Sequence, residues 1–283
     1  MTYVIHGATG AQGAPVVAAL AAAGKSVVAL TRNAAADVPG ARVVAADHSC
    51  TDDLTRAYRD AEGVFVHLPV TSEDDRRGYA RNIVDAVRAA RPARVVFSTS
   101  GTVVGAPGDD GSAVATLVAG LADSGVSHAV IEPRLYFENL LLPFVAGAVR
   151  EQGVLRYPLP ADFRVSWSSH LDIADVAAAL FALPGVDGVV SVGQYPAING
   201  QELAEAFSAG LGQDVRYEAI TPDAFRTAAT PVIGAGAAAE VAAGYTAMRA
   251  LPDRSIEPER SAQKLLGITP RTASQWLTDI GLS

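Results

Sequence analysis

The segment Gly7-Ala8-Thr9-Gly10-Ala11-Gln12-Gly13 directly follows the apolar run Tyr3-Val4-Ile5-His6 and leads into an Ala- and Val-rich stretch. Its glycines recur at every third position. In a strand–turn–helix unit each has a separate task. The first permits a tight turn, the second lets a pyrophosphate reach the backbone, and the third lets the helix pack closely on the strand. The helix start then turns free N–H groups and a partial positive charge toward the phosphates. Pro15 suits the first helical turn, where a missing N–H costs little. The pattern predicts a dinucleotide cradle built from Gly7, Thr9, Gly10, Ala11, Gln12 and Gly13.

Arg32 lies about 19 residues past Gly13, where such sites choose between cofactors: an acid there takes a ribose 2′-hydroxyl, and an arginine accepts a 2′-phosphate. The tip reads Leu30-Thr31-Arg32-Asn33, with no acid, so NADP(H) is expected. Asp47 either accepts from an adenine amine or caps the helix starting near Thr51. Leu68-Pro69 and Ser98-Thr99-Ser100 follow later β-branched runs. Both fall at carboxyl ends of strands, where open α/β sheets bind ligands.

These residues need a particular scaffold. Near-continuous apolar runs at 3–6, 26–30, 42–46, 63–68, 94–98 and 127–132 alternate with helical patterns, as over 82–90. That alternation predicts an α/β fold, a Rossmann-type doubly wound parallel sheet buried on both faces. Beyond about residue 140 the pattern changes. Helices are expected at 172–183, 200–211 and 259–266, strands at 188–192 and 215–220, and a helix pair over 227–244. We therefore expect an NAD(P)-binding domain over 1–140 and a smaller α/β substrate-binding lobe over 141–283, with some segments returning to the sheet.

Composition narrows the function. Lys+Arg 22 against Asp+Glu 30 leaves a net charge of -8, which disfavours a general polyanion binder but allows one local phosphate pocket. Cys50 is the sole cysteine, so an internal disulfide and a Cys-rich metal site are excluded. No spaced His/Asp/Glu cluster suggests a metal. The start lacks signal-peptide features, and no apolar run reaches the roughly 18 residues of a membrane helix. The expected setting is cytoplasmic, with a small-molecule substrate, no nucleic acid or membrane partner, and a monomer or homodimer.

The GATGAQG turn, the Thr31-Arg32-Asn33 tip and Ser98-Thr99-Ser100-Gly101 together resemble the NmrA-like branch of atypical short-chain dehydrogenases, its quinone oxidoreductase 2-like members included. Later segments extend the resemblance across nearly the whole chain: Ser124–Asn139, Ser169-His170-Leu171-Asp172-Ile173-Ala174, and the ending with Leu265-Leu266-Gly267, Pro270-Arg271-Thr272 and Trp276-Leu277. The resemblance implies NADP(H) binding, with Pro133 and Arg134 beside the nicotinamide. Members include quinone and other small-molecule reductases as well as redox-sensing regulators. Departures stand out. Only Lys25 and Lys264 are lysines, and no tyrosine has a lysine four residues on; Tyr245 with Arg249 comes nearest. Val114 stands where relatives often carry a lysine, and Arg134 replaces a glycine.

Without a Tyr-Lys pair, a simple ketone is a poor substrate. A conjugated acceptor remains suitable, because its reduced anion is delocalised and takes a proton from solvent. Tyr136, just past the sixth strand, is a candidate donor to a developing oxyanion, and His170 a candidate proton donor near neutral pH. Each has a plain structural alternative, packing for Tyr136 and helix capping for His170. Ser100, Asn139 and Arg134 are further polar candidates. The leading expectation is an NADPH-dependent oxidoreductase acting on a quinone-like or conjugated molecule. The alternatives are an NADP(H)-sensing regulator and a non-redox biosynthetic enzyme on the same scaffold.

Overall fold

A computed structural model describes residues 2–106 and 108–282. Its chain order opens β1 (Thr2–His6), α1 (Gly13–Ala22), β2 (Ser26–Thr31), β3 (Ala41–Ala45), α2 (Thr51–Tyr58), β4 (Ala61–His67) and α3 (Glu73–Ala90). There follow β5 (Arg94–Ser98), α4 (Ala113–Ala122), β6 (Ser127–Pro133), β7 (Leu135–Tyr136), a 3-10 turn at Phe137–Leu141, α5 (Pro143–Gln152), β8 (Val154–Tyr157) and β9 (Trp167–Ser168). The rest comprises α6 (His170–Ala182), β10 (Gly188–Val192), α7 (Gly200–Leu211), β11 (Arg216–Ala219), α8 (Pro222–Ile233), α9 (Ala235–Met248), α10 (Ala262–Leu266) and α11 (Ala273–Asp279).

Two compact units emerge. The first joins residues 1–133 with 170–192 and 259–268, and the second takes 134–169, 193–258 and 269–283. The division is not one cut near residue 140, because α6, β10 and α10 return to the first unit.

The first unit is a seven-stranded sheet in the order β10-β6-β5-β4-β1-β2-β3, parallel at every pairing. This is a Rossmann-type fold, and its connections reverse direction between β1 and β4. Alternate strand residues face opposite layers. Val4, Val28, Val64, Val95 and Phe97 pack in one cluster with Leu54 of α2, Ile83 of α3 and Leu117 of α4, while α6 packs on α1, β5 and β6. The α3 start shows how locally such elements are specified. The Ser72 hydroxyl accepts the Asp75 N–H at 3.2 Å, acids fill the first turn and Arg88 the last, complementing the helix dipole.

In the second unit β8 pairs with β11 and β7 with β9. Its core stacks the Phe137 ring 5.6 Å from Trp167 and 5.2 Å from Trp276. The 227–244 stretch is a helix pair, α8 and α9, broken at Gly234 with φ +83°. The helix expected at 259–266 is split, because the Ser261 hydroxyl accepts the Lys264 N–H at 3.2 Å and starts α10 afresh. Helix α5 and strands β7, β8 and β9 have no counterpart in the sequence reading; for the strands, runs of two to four residues carry too little periodicity to register. Among the described residues, no helix is long and apolar enough to cross a membrane.

Candidate functional site

A cavity of about 290 Å³ opens at the carboxyl ends of β1 to β4, within the first unit. Gly7, Thr9 and Gly10 of the turn line it, with Thr31 and Arg32 at the end of β2, Asp47 and His48 after β3, His67, Pro69 and Thr71 around the end of β4, and Tyr79 on α3. The β1/β4 junction is the topological switch point at which open α/β sheets take their ligands.

The glycines earn their types sterically. Gly7 has φ +56°, and a Cβ there would lie 2.2 Å from His67 Nε2. That encounter follows from register, since Ile5 pairs with Phe65 and each is two residues short of the meeting point. At Gly13 a Cβ would stand 2.2 Å from the Gly7 carbonyl oxygen, so α1 can approach the turn only with glycine. At Gly10 the nearest atom is 3.1 Å away; the space above it is open for a ligand. The start of α1 has no side-chain cap, which leaves its first N–H groups suited to phosphate.

Gln12 ties the turn to β5. Its Nε2 donates to Ser100 Oγ at 2.8 Å, and its Oε1 accepts from Ser98 Oγ at 2.8 Å. Ser98 and Ser100 therefore brace the cradle, while Thr99 leaves a buried Oγ1 without a partner. His67 Nε2 is likewise buried and unpartnered. Two orphaned polar atoms at adjacent strand ends are costly unless a ligand engages them, and together with the cradle they fit a bound dinucleotide.

Arg32 is exposed and lies close enough to Asp47 to help hold that carboxyl below its ordinary value, after the larger effect of hydrogen bonds from Ser49. Asp47 does not cap α2. Its Oδ1 accepts the Ser49 N–H at 2.8 Å, and the α2 N-cap position belongs to Cys50, without a side-chain cap.

Sequence reasoning passed over His48, Tyr79 and Thr71, and it read His6 as a plain strand residue. His6 is fully buried, with Nδ1 2.9 Å from His48 Nε2 and Nε2 2.6 Å from the Tyr58 hydroxyl. A signal was present in the Asp47-His48 pair after β3, but nothing local linked it to His6.

Other candidates lie elsewhere. The Leu68 side chain packs in the core rather than in the cavity. Pro133 ends β6, paired with Val192. Arg134, in the second unit, is buried and donates from Nε to the Ser255 carbonyl at 2.9 Å. Tyr136 is a buried residue of β7, and His170 is the first residue of α6. Asn139 hydrogen-bonds the Tyr157 hydroxyl. Tyr245 is buried against Tyr157, and burial pushes its phenol up to about 12, so it is a core residue and not an acid–base group. Among the described residues, no group of three His, Cys, Asp or Glu is placed to hold a metal.

Burial, helped by the neighbouring His48 and His67 charges, holds His6 well below the usual imidazole value. Burial takes His67 from 6.5 to about 4, against a raising hydrogen bond to the Leu68 backbone. With both folded values below the unfolded one, the unfolded chain binds more protons between pH 6.5 and 4. Stability is therefore complete above the unfolded value and is lost as pH falls through that window. The expected slope approaches about 1.4 kcal/mol per pH unit for each ring. Urea melts at pH 7 and 5 should show it; a His6→Asn variant that loses as much stability as the wild type would contradict it.

With this geometry in place, comparisons supply relatives. An NAD(P)H azoreductase of Xenophilus azovorans is 29% identical over 281 residues, covering 96% of each chain. A (4-alkanoyl-5-oxo-2,5-dihydrofuran-3-yl)methyl phosphate reductase of Streptomyces griseus is 31% identical over 232 residues, 80% of this chain and 79% of the relative. The NADPH-dependent quinone oxidoreductase QOR2 of Escherichia coli, solved with NADPH, superposes with a TM-score of 0.80 at 22% identity, over 99% of both chains; at that identity the likeness concerns the fold. The sequence pattern of the NmrA-like family matches residues 1–277. From the glycine turn through to the tryptophan near its end, the chain belongs to the NmrA-like family.

Proposed function

We propose that the protein is an NADP(H)-dependent reductase that passes a hydride to a quinone-like or otherwise conjugated small molecule. The observation that carries this reading is Arg32, exposed at the mouth of the glycine-turn cavity where a 2′-phosphate would lie. Gly7, Thr9 and Gly10 face the pyrophosphate, and the uncapped start of α1 donates to it. Asp47 accepts from the adenine amine, and Pro69 closes the β4 side. His67 Nε2 and Thr99 Oγ1 take up hydroxyl or amide groups of the bound dinucleotide. The cofactor supplies the hydride when bound; the chain supplies alignment and exclusion of water.

Proton delivery separates substrates. With no lysine-assisted tyrosine, the chain lacks the usual means of protonating an isolated alkoxide. A conjugated acceptor spreads the charge, so a weak donor such as the Tyr136 hydroxyl or His170 suffices, or water itself. The relatives are consistent with this, because their names denote an azo group, a quinone and an unsaturated lactone.

Purified protein should consume NADPH with at least one of a quinone, an azo dye or an unsaturated lactone, and not with an unconjugated ketone. The loss of reduced-nicotinamide absorbance measures this. Firm NADPH binding with no turnover across that panel would overturn the reductase reading in favour of a nucleotide sensor.

A further inference from the structure

Tyr58, His6 and His48 come from α2, β1 and the loop after β3, yet they form one continuous hydrogen-bonded chain ending in the cavity beside Arg32. The direction of that chain can be worked out. Tyr58 is fully buried, and among the described residues its hydroxyl meets only His6 Nε2, at 2.6 Å. A buried O–H left undonated costs more than an unused lone pair on the same oxygen. Tyr58 therefore donates to His6 Nε2. His6, neutral because it is buried, must carry its proton on Nδ1 and donate it to His48 Nε2, 2.9 Å away. With Nε2 accepting, His48 carries its own proton on Nδ1.

Two further contacts hold the residue in place. Asn82 Nδ2 donates to the His48 carbonyl at 2.9 Å, and the Tyr79 ring lies 5.6 Å from the imidazole. Among the described residues, Nδ1 has no protein partner. Burial, together with Arg32, keeps the ring below its ordinary pKa in spite of the opposing Asp47 charge.

Building on the NADP(H) reading above, we propose that His48 is a second ligand of the cofactor's 2′-phosphate, its Nδ1–H fixed as a donor by the Tyr58–His6 relay and acting beside the Arg32 guanidinium. His48 determines specificity by touching the phosphate; His6 and Tyr58 are positioning residues that act through it. The donor is available without protonation. The charged and titratable groups around it are Arg32, Asp47, His6, His67, Tyr58 and Tyr79. Of these only Arg32 is a standing cation, so the N–H complements a phosphate that one guanidinium does not saturate.

Two near-isosteres separate a ligand from a structural part. The Asn side chain ends where imidazole Nδ1 stands, and Gln reaches where Nε2 stands. His48→Gln keeps the contact toward His6 and loses the cavity donor; His48→Asn does the reverse. Calorimetric titration with NADP+ and NAD+ should show His48→Gln weakening NADP+ by about tenfold or more, the scale of one hydrogen bond to a charged group. NAD+ should be unchanged, and His48→Asn should recover most of the loss. Nitrogen NMR of the unliganded protein should find the His48 proton on Nδ1, and Tyr58→Phe should mix the two tautomers and lower the NADP+/NAD+ ratio. An unaltered ratio in His48→Gln, an equal loss for both nucleotides, or a proton on Nε2 would overturn the proposal while leaving the cofactor reading intact. Failure of the wild type to bind either nucleotide would remove both.

Discussion

Gly10→Ala is expected to leave the protein folded and weaken dinucleotide binding severely, while Gly13→Ala is expected to destroy the turn itself. The contrast comes from what each added methyl would meet. At Gly13 the new carbon would sit 2.2 Å from the Gly7 carbonyl oxygen, 2.5 Å from its carbon and 2.6 Å from the His6 oxygen. All three are backbone atoms joined to β1, and none can swing aside as a side chain would. Overpacking typically costs about 1–3 kcal/mol, and three backbone contacts that cannot yield put this case at the top of that range, a large share of a total stability of about 5–15 kcal/mol. At Gly10 one backbone oxygen at 3.1 Å need yield only a few tenths of an ångström, and no left-handed backbone is involved. The methyl would instead fill the space a pyrophosphate requires. Thermal melts should place Gly10→Ala near the wild type and Gly13→Ala far below it. Calorimetry should show NADP+ affinity down on the order of a hundredfold in Gly10→Ala. Wild-type affinity in that variant would mean that the phosphates lie elsewhere.

Replacing Arg32 by Ala should reduce NADP(H) affinity roughly 10- to 100-fold, the range for losing a charged hydrogen-bonded contact, and hardly alter NAD(H). Arg32 is exposed, and among the described residues it makes no ion pair or hydrogen bond through its side chain, so its removal carries little folding cost. Arg32→Glu should go further and invert the preference, because a carboxylate repels the 2′-phosphate and can accept from a ribose hydroxyl. The ratio of kcat/KM for NADPH to that for NADH reads this directly. Since the site is open to solvent, salt should weaken the wild-type preference. A parallel fall with both nucleotides would assign Arg32 to a role other than phosphate selection.

Much of the fold was legible because its signals are local. Six of the seven sheet strands and the order of helices between them follow from β-branched runs and helical periodicity, and β10 was visible as a run at 188–192. The caps of α3 and α10 are likewise written in neighbouring residues. The second unit was harder to read. Its two-residue strands β7 and β9 depend on each other, and Trp276, read as part of an ending, is a fully buried core residue stacked on Phe137. Asp47 shows the limit within a single loop: helix capping stood open in the sequence, and the structure turns its oxygen to the Ser49 N–H instead.

For the site, residue order alone determined the glycine turn, the helix that opens after it, and an arginine at the second strand's tip in place of an acid. Each is settled within a few residues of chain, by backbone sterics and by where a strand must end. Only the tertiary structure decided that Gly7 faces His67, that His6 reaches His48 across 42 positions and Tyr58 across 52, and that Tyr245 lies in the core away from any acid–base role. Those outcomes depend on strand order and parallel register, which bring distant side chains within hydrogen-bonding range and which no local pattern encodes.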